Sequence, residues 1–94
     1  LTGITTVTGA GGAPDATAAA DSTVYYLDGS AATCTLALEA APTTGQLYTI
    51  KSVDSTNTVT IDGNGNTIDG SASVTLVTNE SLTLHFDGTE WKVI

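Results

Sequence analysis

The sequence predicts an all-β fold: a small antiparallel β-sandwich or jelly-roll-like barrel of about eight short strands, with an extended N-terminal arm. Three observations carry that expectation. Apolar and polar residues alternate with period two in run after run. Asp-Gly, Asn-Gly and Pro-containing turns punctuate the runs at the spacing of sandwiches and barrels. Threonine makes up about a fifth of the chain, and β-branched side chains suit a pleated surface better than a helix.

Ile4–Thr8 is the first candidate strand. Gly9 to Asp21 follows, rich in Gly and Ala and interrupted by Pro14, with the composition of a flexible connector. The chain therefore divides into an arm and connector over 1–21 and a sandwich domain over 22–94. Fully extended, the connector spans roughly 40 Å, enough for Ile4 and Val7 to join a neighbouring subunit's sheet. A plain loop is the simpler alternative, and one helical turn within Asp15–Asp21 is the only helix the pattern allows.

Ser22–Leu27 is a strand and Asp28-Gly29-Ser30 a turn. Ala32–Leu38 is a strand, followed by a loop over 41–45. Leu47–Val53 runs as a strand to Asp54, and Thr58–Ile61 as another to the turn Asp62-Gly63-Asn64-Gly65-Asn66. Thr67-Ile68 is brief and closes on Asp69-Gly70. The last stretch is the clearest: Ala72, Val74, Leu76 and then Leu82, Leu84, Phe86 alternate with polar residues. Trp91 and Val93 resume across Asp87-Gly88, a strong hairpin signal. The echo of Ile61-Asp62-Gly63 in Ile68-Asp69-Gly70 would fit rungs of a β-helix, but one echo without a kept spacing favours the sandwich.

The net charge is −8, from ten acids against Lys51 and Lys92. Nucleic-acid affinity comes mainly from neutralising phosphates, so no nucleic-acid partner is expected. An anionic membrane surface is disfavoured for the same reason. The acids are scattered, which keeps a surface soluble rather than making a tail. A lone cysteine, Cys34, forms no internal disulfide; it sits in an apolar alternation without a basic neighbour, as a buried structural thiol does.

No catalytic set emerges. His85 is the only histidine and alternates outward, with no nucleophile elbow, metal-ligand cluster or phosphate loop beside it. No enzyme activity and no cofactor are expected. Asp62–Asn66 offers oxygens at alternate positions, but Thr67 and Ser73 stand where a calcium loop needs Gly and Glu, so it reads as a turn. Tyr25, Tyr26 and Trp91 would serve a sugar-binding face if exposed, or the core if not.

Leu47, Val53, Val77 and Ile94 fall on strand faces opposite the inward set. So small a domain does not hide apolar residues on both sides of its sheets, and association with identical copies is the economical remedy. Ile4, Val7, Val77, Trp91 and Ile94 are the expected interface residues. Asp62, Asn64, Asn66, Asp87 and Gly88 are the expected exposed tips.

The run Ala40-Ala41-Pro42-Thr43-Thr44-Gly45-Gln46-Leu47-Tyr48-Thr49-Ile50-Lys51 opens a recognisable pattern. It continues through Asn57–Gly63 and Thr67–Ser71 and ends in Asp87-Gly88-Thr89-Glu90-Trp91-Lys92-Val93-Ile94. From about Thr33 to Ile94 this resembles the small β-domain of tailed-phage virion proteins, often near the C-terminus of tail fibres and related appendages. The resemblance implies a trimeric, non-enzymatic module on the virion surface, in contact with other virion proteins and a possible host glycan. It carries over no catalytic residue. A tail-fibre piece, a capsid-decoration protein, a self-assembling extracellular filament joined by its N-terminal strand, and a carbohydrate-binding adhesin domain are the open alternatives.

Overall fold

The computed structural model describes residues 3–19 and 23–94, which form nine strands and no helix. They are β1 (Ile4–Thr8), β2 (Ala16–Thr17), β3 (Val24–Asp28), β4 (Cys34–Ala37), β5 (Leu47–Asp54), β6 (Val59–Asp62), β7 (Ser73–Leu76), β8 (Ser81–Phe86) and β9 (Trp91–Val93). One sheet has the order β1-β3-β5-β8-β9 and the other β2-β4-β6-β7. Their inner faces share one apolar core built from Leu27, Ile50 and Leu84 on one side and Leu36, Val59 and Ile61 on the other. The sandwich and the all-β class are as expected.

The strand directions are not. The pairs β1–β3, β3–β5, β2–β4 and β4–β6 are parallel, and only β5–β8, β8–β9 and β6–β7 are antiparallel. From β1 to β6 the chain passes back and forth between the sheets, so two successive strands make one turn of a flattened coil. Ile4 pairs with Val24 and Ala16 with Leu36, a step of 20 residues in both sheets. Val24 pairs with Thr49 and Cys34 with Val59, a step of 25 in both. The first six strands therefore have the rung-on-rung arrangement that a repeat was too faint to predict, and two reversed strands, β7 and β8, with β9 turned back on β8, finish it. Period-two alternation is blind to this, since it looks the same in parallel and antiparallel strands.

Corner glycines let successive turns close on one another. The Gly9 amide donates to the Asp28 carbonyl at 2.8 Å, and the Gly29 amide to the Asp54 carbonyl at 2.7 Å. A Cβ on Gly9 would lie 2.5 Å from the Ala32 carbonyl oxygen, and one on Gly29 equally close to that of Asn57. Real Cβ atoms are not found there, so only glycine fits.

The Gly/Ala-rich stretch expected as a loose connector is part of this coil over its described residues. It supplies β2 and buries Ala18. Its organiser is Asp15, whose carboxylate accepts the amides of Ala10 at 3.0 Å and of Gly12 and Thr35 at 2.9 Å. Backbone stacking on the next turn replaces the large side chains that the composition lacks. Strand β1 likewise pairs along its whole length with β3 of its own chain and buries Val7. That placement corrects the expected reach to a neighbouring sheet. Leu1, Thr2 and 20–22, with the start of the strand expected at Ser22, lie outside the described residues.

The Thr35 amide is the main cause holding the Asp15 carboxyl below its ordinary value of 3.8, with burial opposing it. A depressed carboxyl contributes stability that is complete above its unfolded pKa and is lost as pH falls through the folded one. The first turn should therefore loosen below about pH 4. Asp15→Asn should lower the melting temperature at pH 7, and the gap from the parent should narrow at pH 2.5. An unchanged gap across that range would show that the carboxylate does not hold the turn.

At the other end of the core, Tyr48 stacks between Tyr25 and Trp91, with ring centroids 5.8 and 5.5 Å away, and Phe86 lies 5.2 Å from Trp91. Ile68 plugs the space between the sheets and bridges to Trp91. Asp69 and Gly70 both have positive φ, 46° and 85°, and close a two-residue turn between Ile68 and Ser71, as an Asp-Gly pair does in hairpins.

Candidate functional site

Strand alternation gives the five-stranded sheet an outer face that the fold itself leaves uncovered. In β1 the outward residues are Ile4, Thr6 and Thr8, in β3 Val24, Tyr26 and Asp28, and in β5 Leu47, Thr49, Lys51 and Val53. The register aligns them in rows. Ile4, Val24, Thr49 and Thr83 stand side by side across four strands, and the Ile94 amide donates to the Thr83 carbonyl at 3.0 Å, adding Ile94 to the end of the row. Thr6, Tyr26, Lys51 and Ser81 make the row on one side, and Leu47, His85 and Lys92 the row on the other. An open groove lies between Val24 and Leu47, walled by Thr23, Thr49 and Thr83.

These three rows hold both lysines and the histidine of the chain and no carboxylate, although the protein carries −8 overall. Glu90 flanks the face and pairs with Lys92 at 2.6 Å, and Asp28 stands at the end of β3 beyond the Tyr26 row. Lys92 and the Thr67 hydroxyl, with the Gly70 amide, draw the Glu90 carboxyl from 4.5 down to about 2. That network ties β9 to the loop around Gly70; it is structural chemistry at the margin of the face.

His85 projects from this face beside Leu47 and Lys92. Cys34 is buried, and its Sγ–H donates to the Val7 carbonyl at 3.4 Å. Burial is the main cause pushing its thiol above the ordinary value, which suits an inert packing residue. The Tyr48 hydroxyl donates to the Glu39 carboxylate at the rim of the core. Among the described residues no three His, Cys, Asp or Glu side chains gather as a metal would need.

The residues singled out from sequence part company here. Ile4, Val77 and Ile94 are exposed, at 64%, 66% and 73%, and Ile4 and Ile94 share one row. Val77 belongs to the turn between β7 and β8, beside the four-stranded sheet. Val7 and Trp91 are core residues, which corrects their expected place at an interface: both point inward between the sheets, and Trp91 is fully enclosed. Asp87 and Gly88 are exposed.

Asp62, Asn64 and Asn66 are only half-buried and do not stand free as a tip. Asn64 and Asn66 donate their side-chain amides to the Leu38 and Ala40 carbonyls at 3.0 and 3.1 Å, so the loop is stapled to the chain beyond β4. Of the three rings considered for a sugar face, Tyr25 and Trp91 are buried and Tyr26 alone is exposed. Val24, Leu47 and Thr83 were not among the expected interface residues. Leu47 and Thr83 are only recognisable as sharing a sheet face with Ile4 once the strand order is known.

The family model for the phage depolymerase C-terminal beta sandwich domain matches residues 5–92. No curated protein matches the chain.

Proposed function

Because this chain belongs to the family of phage depolymerase C-terminal β-sandwich domains, a phage structural module of tail-fibre type, we propose that it is a non-enzymatic part of the virion surface that associates with copies of itself, as a trimer. One observation supports the self-association above others: Ile4, Val24, Leu47 and Ile94 stand among threonines in rows that carry no carboxylate, on a strongly acidic chain, with Asp28 beyond them at the end of β3. Copies carrying −8 each repel, and they meet at least cost where neither presents an acid. Burying several exposed aliphatic side chains supplies the driving force, about 25 cal/mol per Å² of apolar surface.

Sedimentation at graded concentration tests this. The parent should run as three chains of 9.4 kDa. The pair Val24→Glu and Leu47→Glu should weaken association at least tenfold, about 1.4 kcal/mol or more, with an unchanged circular dichroism spectrum. A parent that stays monomeric at high concentration, or a charged pair that assembles as the parent does, would refute the assignment of this face.

A further inference from the structure

The coil is finished at one end and open at the other. At its C-terminal end the direction reverses: β7 turns back on β6, β8 on β5, and β9 on β8. The last strand there is three residues long and carries Lys92, and the four-stranded sheet ends on β7, four residues long. At the N-terminal end β1 and β2 are the outermost strands of their sheets, on the same turn. The Gly3 carbonyl and the Gly9 amide bond to the neighbouring turn, so by strand alternation the odd-numbered residues of β1 face β3. The N–H and C=O groups of Ile4, Thr6 and Thr8 then lie along the open edge. That edge, Ile4-Thr5-Thr6-Val7-Thr8, has no charge, no proline and no bulge, the devices with which exposed edges are usually blocked.

We propose that the open end formed by β1, the corner at 9–15 and β2 is a platform for one further parallel turn of polypeptide, joined on the N-terminal side. The chain stacks its own turns in this way already. The step is equal in both sheets, and bonding continues around the corner, from the Gly11 amide to the Thr33 carbonyl at 3.1 Å and from the Asp15 amide to the Thr35 carbonyl at 2.9 Å. A partner that satisfies both open edges at once must be a whole turn running in the direction of β1 and β2. The far end of a second copy offers no such turn, because its two edge strands run in opposite senses, β9 with β1 and β7 against β2. The matched family is described as a C-terminal domain, so in its members chain precedes the domain on the side where β1 lies. The inference rests on strand topology alone and stands or falls apart from the virion reading.

Duplicating the first turn tests it: a second copy of residues 3–22 is placed directly before Gly3, supplying a turn of the 20-residue step already used. Hydrogen exchange should show the amides of the original Ile4, Thr6 and Thr8 slowed about 100-fold or more relative to the parent, with the added segment resistant to limited proteolysis. Changing the original Thr6→Pro should abolish the slowing in the extended chain, yet leave the parent folded, since that amide faces the edge. Amides that exchange at the parent's rate beside a protease-sensitive added segment would overturn the proposal. So would protection that grows with concentration in the parent, because a second copy would then be the occupant.

Discussion

Trp91→Ala should remove most of the stability of this domain. Its side chain is fully enclosed, in contact with Tyr48 and Phe86. Truncating a buried Trp costs about 3–5 kcal/mol, from lost transfer energy and the cavity left behind. Whole domains hold only about 5–15 kcal/mol, and for a chain this short each kcal/mol moves the melting temperature by roughly 4–8 °C. A fall of at least 12 °C is expected, roughly, and it should not depend on protein concentration. The last point separates core from interface, since loss of a subunit contact would be masked as concentration rises. Part of the cost is recovered because the indole Nε1 has no hydrogen-bond partner among the described residues, and an unmet buried donor is itself unfavourable. A melting temperature within about 4 °C of the parent would show that Trp91 does not hold the sheets together.

Gly29→Val should be the next most damaging change. The corner of the second turn sits on the third so closely that a Cβ would meet the Asn57 carbonyl at 2.5 Å and the Asp54 carbonyl at 3.0 Å. Both are backbone atoms, and the Asn57 side chain also donates to the Gly29 carbonyl at 2.8 Å, fixing them further. Forcing side-chain atoms into so tight a contact costs about 1–3 kcal/mol, and more where the backbone cannot move. Gly11→Ala makes the control: its Cβ meets nothing within 4 Å, and only its φ of 75° opposes the change. Denaturant melts should rank Gly29→Val well below Gly11→Ala. Equal midpoints would mean that the turns are not in register at this corner.

Local structure was largely legible, and the order of assembly was not. Strand β1 was read at its observed bounds, β5 and β6 within a residue, and the β8–β9 hairpin from Asp87-Gly88. In each the alternation and the turn residues act over a few positions, where the sequence speaks directly. Strand β2 was missed because Ala16 and Thr17 have no apolar partners in sequence; they are held by Asp15 and by stacking on β4. The parallel pairing was missed because Gly9 and Gly29, each closing a strand and 20 residues apart like their turns, are a repeat of one residue type. The candidate face suffered from the same blindness. Ile4 and Ile94, at opposite ends of the chain, are each expected at an interface from sequence, but nothing local says that β1, β3, β5, β8 and β9 lay them in one row.

The thiol of Cys34 ties the first turn to the second through the Val7 carbonyl and is shut away from solvent by it. It is the only sulfhydryl in the chain, so a thiol-reactive dye can reach the protein at one atom alone, and only once its bond to the Val7 carbonyl of β1 is broken. The rate of labelling under native conditions is thereby a clock for peeling of the N-terminal turn, separate from global unfolding. Nature has left this fold with a gauge of its own fraying built into the seam between its first two turns.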